Sequence, residues 1–211
     1  MTILKPASQP EIRRYFVRTP EGDVSLVSGS IHSVEPVIFI HGAARNSAKL
    51  AKWVTPGSAL LELPGHGVAP FISGNIEKWR AAFQHAIETV WPSKNITLVG
   101  ESLGGILALG MKAARTIAID PPMQPTEAVE HEIQHGNVAE FLRPMLRASY
   151  WDLLDRLEKK VEIVCATEGI LPIVARERLR THAMVEFHEI SGGHLLLDEN
   201  SDEIAEMLGR K

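Results

Sequence analysis

A serine placed between two glycines is the part of this chain best suited to nucleophilic chemistry. The run Gly100-Glu101-Ser102-Leu103-Gly104 has the spacing G-x-S-x-G, and it follows the apolar, β-like segment Ile96–Val99. A helical pattern over 103–114 follows, so the serine lies on a tight strand-to-helix turn that needs small neighbours and exposes the hydroxyl. A glycine-rich turn with a capping serine would have the same composition, so the rest of the chain must decide between the two.

Three further motifs accompany this turn in a fixed order along the chain. They are an apolar run at 37–40 that ends in His-Gly-Ala, Leu-Pro-Gly-His-Gly at 63–67, and Ser-Gly-Gly-His at 191–194. The first run is typical of a strand buried on both faces. Together with the serine turn, these motifs resemble the alpha/beta hydrolase superfamily in its single-domain serine hydrolase form. The resemblance extends from about Arg14 to the C-terminus and weakens over residues 121–150.

Strand-like and helical segments alternate along most of the chain, which favours a mostly parallel sheet with helices on both faces. The expected strands are a hairpin over 15–28 and segments near 36–41, 58–62, 95–100, 116–119, 161–166 and 184–190. The resemblance implies a three-layer α/β/α sandwich with about seven or eight strands. We expect one domain over 1–211 with a short helical lid insert at about 121–150. Sites in such sheets lie at the carboxyl ends of the strands.

The resemblance assigns the catalytic residues by position. Ser102 is the nucleophile, and His194, in its glycine-rich loop, is the base that accepts the serine proton. For the acid that orients the imidazole we favour Glu168, which follows a strand and precedes a hydrophobic-Pro pair. Asp120, directly after the preceding strand, is the alternative acid. A structural reading of Asp120 is a cap of the Pro-Pro turn that follows it.

The resemblance also implies an oxyanion hole and a substrate pocket. The backbone N–H groups of Ala43 and Leu103 would hold the developing oxyanion. His41 and His66, in the turn motifs, are more easily explained as structural residues. Apolar side chains near the lid and the first loop are candidates for substrate binding, and by position these are Trp53, Met123, Phe141 and Met145.

A second motif, His131-Glu132-Ile133-Gln134-His135, matches H-E-x-x-H. On a helix, its two histidines would share a face and could bind zinc, with Glu132 as the base. Gly136 follows at once and would end the helix, and no third ligand is indicated. A solvated polar face on a short lid helix explains the same residues, so we expect no metal.

Composition narrows the remaining classes. The 211 residues carry a formal net charge of −4 with a pI near 6.1, which gives no reason to expect binding to nucleic acid or to an anionic membrane. The single Cys165 excludes an internal disulfide and suits the cytoplasm. The segment Met1–Pro6 lacks a signal-peptide core, and no apolar stretch is long enough for a transmembrane helix.

These observations predict a serine hydrolase that cleaves a small carboxylic ester or thioester through an acyl-enzyme, without a cofactor. Two alternatives remain open. One is a non-hydrolytic or lyase-type member of the same superfamily, since a fold does not dictate its chemistry. The other is a zinc hydrolase built on His131, Glu132 and His135. The sequence leaves the oligomeric state unknown.

Overall fold

The computed structural model describes residues 12–92, 95–136 and 138–209. The segment Met1–Pro6, considered above for a signal peptide, lies outside the described residues. The described residues form one eight-stranded sheet. Its strands are β1 Arg13–Thr19, β2 Gly22–Ser28, β3 Val37–Ile40, β4 Ser58–Leu61, β5 Thr97–Glu101, β6 Arg115–Ile119, β7 Val161–Glu168 and β8 Val185–Gly193.

The sheet has the order β1-β2-β4-β3-β5-β6-β7-β8. The hairpin strands β1 and β2 pair antiparallel, and β2 pairs antiparallel with β4, whereas all the pairs from β4 to β8 are parallel. The carboxyl ends of β3, β5, β6, β7 and β8 therefore meet at one edge. The expected mostly parallel sheet is confirmed, and its parallel part places the loops after these strands beside one another.

Helices connect the strands and cover the sheet. They are α1 Ile76–Val90, α2 Leu103–Leu109, α3 Glu127–His135, α4 Arg143–Leu146, α5 Asp152–Asp155, α6 Ile173–Arg180, α7 Leu196–Glu199 and α8 Ser201–Met207, with 3-10 turns at Ala51–Trp53 and Glu140–Leu142. Helix α2 is shorter than its sequence pattern suggests. Arg80 lies against Gly110 and donates to the carbonyl of Ile106 at 2.7 Å, which satisfies an end group of the helix.

Two apolar layers enclose the sheet because strand side chains alternate between its faces. Ile38, Leu98 and Ala118 pack into the layer that holds α1, α2 and the lid segment. Phe39 and Val99 pack into the opposite layer, which holds α7 and α8. The three-layer arrangement expected from the sequence is thus confirmed. In the part of the chain that the structure describes, no helix is long and apolar enough to cross a membrane.

Candidate active site

Ser102 lies on the tight turn between β5 and α2, as the glycine spacing predicts. Its backbone has φ +54° and ψ −122°, which is strained for a residue with a side chain. A Cβ on Gly104 would lie 2.2 Å from the carbonyl oxygen of Ile40, and a Cβ on Gly100 would lie 2.1 Å from that of Gly104. Only glycine fits at these two positions, so the spacing is a direct consequence of how closely strand and helix pass.

The turn is held to the sheet and leaves the serine hydroxyl free. The Ser102 N–H donates to the Ile119 carbonyl at 2.8 Å. A Cβ on Gly42 would lie 3.0 Å from the Ser102 Cβ and 3.6 Å from its Oγ, so this glycine provides the room beside the hydroxyl. Within the described residues the Ser102 Oγ makes no hydrogen bond, and it faces a pocket that His194 also lines.

The carboxylate that holds His194 is that of Asp120. The His194 Nδ1 lies 2.6 Å from the Asp120 Oδ2, and the Asp120 side chain is fully buried. The same oxygen also accepts from the Ile170 N–H at 3.0 Å. A Cβ on Gly169 would lie 2.4 Å from this oxygen, so the glycine allows the β7–α6 loop to close over the carboxylate. The bond leaves the His194 Nε2 as the nitrogen available to the pocket.

The structure does not bring Glu168, the acid favoured from the sequence, to His194. Glu168 is the last residue of β7, its side chain is exposed, and it has no side-chain hydrogen bond within the described residues. The loop that suggested Glu168 instead supplies Gly169 and the N–H of Ile170, which receive Asp120. The alternative acid therefore occupies the position beside the imidazole.

The surroundings of His194 raise its pKa above the ordinary value of 6.5. Burial by itself would lower the pKa, but the hydrogen bond to Asp120 and the negative charge of that carboxylate outweigh it. Glu101 and Glu132 act in the same upward direction. The pair can therefore accept a proton readily, which is what a general base requires.

His41 fixes the peptide group that presents the Ala43 N–H. The His41 Nε2 accepts from the Leu63 N–H at 3.0 Å, so its Nδ1 carries the proton and donates to the Gly42 carbonyl at 2.8 Å. The Arg45 N–H donates to the same carbonyl at 3.2 Å. In a trans peptide the C=O and the following N–H point in opposite directions. The Ala43 N–H is therefore turned away from His41.

His66 holds the next peptide group of the same loop. Its Nε2 lies 2.8 Å from the Ala43 carbonyl, and its ring meets that of His41 edge to face at 5.2 Å. In the described chain, neither the Ala43 N–H nor the Leu103 N–H has a partner within the protein, and Leu103 is the first residue of α2. Both groups are thus free to bind an anion beside Ser102.

A charge network that the sequence motifs did not reveal joins the three loops of the site, and two of its members, Arg45 and Glu101, are buried. Arg45 donates to Glu101 at 2.7 Å and to Asp198 at 2.5 Å. Glu101, which precedes the serine, also accepts from the Leu197 N–H at 3.0 Å. Burial raises the pKa of Glu101, and the charge of Arg45 opposes that rise. The network ties the Ala43 loop to the serine turn and to the segment after His194.

A pocket of about 150 Å³ opens beside Ser102. Its apolar walls come from the lid, the β7–α6 loop and the residue after the histidine, namely Val129, Val138, Leu146, Ile170 and Leu195. Within the segment 121–150, helix α3 and the chain that follows it supply Val129, Val138 and Leu146 to this lining. The polar residues of the lining are Arg45, Ser102, Glu132 and His194.

The residues that the sequence suggested for substrate binding are not among those that line this pocket: Trp53, Met123, Phe141 and Met145. Trp53 packs 5.2 Å from the ring of Phe39 on the opposite face of the sheet, and Met123 and Met145 are buried in the core. The ring of Phe141 packs against those of His66, Phe71 and Trp79. Helical spacing shows which face of a helix is apolar, but it does not show whether that face packs against the core or lines the pocket.

The H-E-x-x-H segment forms most of α3, but its two histidines do not converge on a site. Their rings stack at 4.5 Å, both are exposed, and the His135 Nδ1 lies 3.2 Å from the carbonyl oxygen of His131. Over residues 12–92, 95–136 and 138–209, no group of three or more His, Cys, Asp or Glu side chains could hold a metal ion. The glutamate between them lines the pocket.

Residues 37–161 match the model of the alpha/beta hydrolase family, and the chain belongs to that family. No curated protein matches the chain significantly in sequence. The thioesterase domain from the curacin biosynthetic pathway is a similar solved structure, with a TM-score of 0.75 and 16% identity over 94% of this chain and 99% of that one.

Two esterases have similar structures as well. Naproxen esterase from Bacillus subtilis has a TM-score of 0.70 and 12% identity, over 95% of this chain and 91% of that one. A thermophilic esterase from Thermogutta terrifontis has a TM-score of 0.68 and 16% identity, over 93% of this chain and 97% of that one. At such low identities the likeness shows the fold alone.

Proposed function

We propose that this protein is a serine hydrolase that cleaves a carboxylic ester or thioester with a Ser102–His194–Asp120 triad. The observation that carries the proposal is the 2.6 Å bond between His194 and the buried Asp120, at a pocket that Ser102 also lines. The two free N–H groups beside the serine support it further. Esters and thioesters are also the class that the names of the similar esterases and thioesterase suggest.

In this mechanism the Ser102 Oγ attacks the carbonyl carbon of the substrate while the His194 Nε2 accepts the hydroxyl proton. Asp120 accepts the hydrogen bond from Nδ1 and stabilises the imidazolium that forms. The Ala43 and Leu103 N–H groups stabilise the oxyanion of the tetrahedral intermediate. His194 then protonates the leaving alcohol or thiol, and water, deprotonated by the same imidazole, hydrolyses the acyl-enzyme.

Active-site labelling with a fluorophosphonate tests the proposal directly. We expect the wild-type protein to take one label, on Ser102, and to hydrolyse short p-nitrophenyl esters. Ser102→Ala should take no label and lose turnover by about 10⁶-fold, as the loss of a triad member does in other hydrolases. Ser149→Ala, which changes an exposed lid serine, is the matched control and should keep both. Near-normal ester turnover in Ser102→Ala would exclude the assignment.

The same experiment separates the two other classes. A lyase-type or non-hydrolytic member of the family would take the label on Ser102 but would not turn over any ester in a chain-length series. A zinc hydrolase would lose activity on treatment with a chelator, and His131→Ala would be as inactive as Ser102→Ala. We expect ester turnover that is insensitive to chelators and to His131→Ala.

A further inference from the structure

One charged side chain at the pocket has no part in the proposed chemistry. Glu132 lies on the lid helix α3 and lines the pocket beside Ser102 and His194. Its carboxylate has no hydrogen bond or ion pair to any other described residue. By contrast, Glu130 on the same helix is held by Arg147 through two bonds of 2.6 and 2.8 Å. The charge of Glu132 is therefore available to a ligand.

The Glu132 carboxylate lies close to the end of its helix. A Cβ on Gly136 would lie 2.5 Å from the Glu132 carbonyl oxygen and 2.7 Å from its Oε2, so the glycine leaves room for both. The charge also reaches the reaction centre. Burial lowers the pKa of His194 and Asp120 is the main group that raises it, but Glu132 contributes to the rise as well.

The cation in the pocket lining is already matched by acids. Arg45 is only 5% exposed and donates to both Glu101 and Asp198. Asp120 adds a further buried carboxylate behind His194. Lys52 lies 3.5 Å from the second of these acids, Asp198, so the two cations and the two acids balance. The carboxylates of Asp120 and Glu132 then remain, and while His194 is neutral they give the pocket an excess of negative charge, which attracts cations and repels anions.

We propose that Glu132 makes this pocket select esters or thioesters that carry a cationic group, such as a primary amine or a quaternary ammonium. Substrates with an anionic acyl or leaving group are disfavoured for the same reason. The inference rests on the proposed function, because it assigns a substrate class to that same site. Selecting cationic substrates would also give Glu132, the acidic residue of the H-E-x-x-H motif, a role that requires no metal.

Two pairs of substrates with nearly equal shape measure this preference. Acetylthiocholine and its neutral isostere S-(3,3-dimethylbutyl) thioacetate place the charge in the leaving group. The p-nitrophenyl esters of 4-(trimethylammonio)butanoate and of 5,5-dimethylhexanoate place it in the acyl group. The readout is the ratio of kcat/KM for the cationic substrate to that for the neutral one. It is measured on the alkaline pH plateau of each variant, so that the protonation of His194 does not contribute.

We expect the ratio to exceed one for the wild type in at least one pair and to fall about two- to fivefold in Glu132→Gln, the size of an exposed charge pair. Glu132→Lys should invert the preference. Glu127→Gln removes an exposed charge from the same helix away from the pocket, and should leave the ratio unchanged. Raising the salt concentration to about 0.5 M should reduce the wild-type ratio and not that of Glu132→Gln.

An unchanged ratio in Glu132→Gln for both pairs would overturn the inference, and so would an equal fall in Glu127→Gln. The failure of the proposed function has a different signature. Ser102→Ala would then retain turnover of the neutral esters, whatever the ratios are. If Ser102→Ala is inactive while Glu132→Gln keeps the wild-type ratio, the hydrolase assignment stands and the selection by Glu132 fails.

Discussion

Acidification should destabilise this protein through His41, because the folded chain holds that imidazole in its neutral form. The side chain is fully buried, its Nδ1 donates to the Gly42 carbonyl and its Nε2 accepts from the Leu63 N–H. A second proton would have to go on Nε2, where it would face another donor. Burial is the main cause that lowers the pKa of His41, from 6.5 to about 4.

The size of the effect follows from proton linkage. The unfolded chain protonates His41 near its ordinary pKa of 6.5, whereas the folded chain does so only near about 4. Between these values the unfolded state binds more protons, so the free energy of unfolding decreases as the pH falls. Going from about pH 7.5 to about pH 4.5 should cost about 2.5 kcal/mol at this one residue. That is a large part of the stability of a typical domain.

Urea unfolding at the two pH values measures the loss. Carboxylates and other histidines contribute to the wild type and to the variants alike, so the difference between them isolates His41. His41→Asn keeps an amide donor near the place of Nδ1 but cannot titrate, and it should lose about 2.5 kcal/mol less than the wild type. His32→Gln, at an exposed position, should behave as the wild type does.

Equal pH dependence in the wild type and in His41→Asn would refute the reasoning. Since the Asn variant loses the acceptor for Leu63, it could be too unstable to compare. An NMR titration of the wild-type imidazole nitrogens then provides the second measurement. It should show His41 neutral, with its proton on Nδ1, down to about pH 5. Protonation of this ring near 6.5 would equally refute the argument.

The remaining predictions concern catalysis. Asp120→Asn should lower kcat by about 10⁴-fold in a steady-state assay. Glu168→Gln should keep a kcat near that of the wild type. The reverse ranking would restore Glu168 as the acid. In wild-type pH profiles, kcat/KM should rise on an acid limb centred above 6.5, since the pKa of His194 is raised and its proton must leave first; a limb below that value would contradict the Asp120 contact. On p-nitrophenyl esters, kcat/KM should peak at about two to six acyl carbons, because the apolar walls of a pocket of about 150 Å³ can bury only a few methylene groups. A maximum at about twelve carbons, twice that limit, would show a longer tunnel.

The sheet could be predicted because each central strand is an apolar run with its own boundaries. The run Val37–Ile40 and the turn at Ser102 are local signals. Burial on both faces of a strand requires a short apolar run, and the close passage of strand and helix requires glycine at Gly104. His194 lies at the pocket with Ser102, as their motifs suggest, and their catalytic roles stay predictions. The helix predicted over 103–114 is too long, since α2 ends at Leu109, where the distant Arg80 donates to the Ile106 carbonyl.

The acid could not be chosen in the same way. Glu168 ends β7 and Asp120 directly follows β6, and because these strands are parallel neighbours, both residues lie at the same edge of the sheet. What separates them is the contact between two loops: Gly169 has no side chain, so the carboxylate of Asp120 fits beneath it and meets the N–H of Ile170. The sequence shows Gly169 next to Glu168, but it does not show that the carboxylate of Asp120, from another loop, will occupy the space beside this glycine.

The charge network of Arg45, Glu101 and Asp198 could not be predicted for a similar reason. Arg45 lies 56 positions from Glu101 and 153 from Asp198, and no local pattern links an arginine in one loop to acids in two others. Removing Arg45 alone would destabilise the protein, because Glu101 would then be an uncompensated charge inside it. The loop of Ala43, the serine turn and the segment after His194 are therefore held in one arrangement. A hydrolase that relies on two backbone N–H groups needs this arrangement before substrate arrives, since their stabilisation of an oxyanion depends on their being in place beforehand.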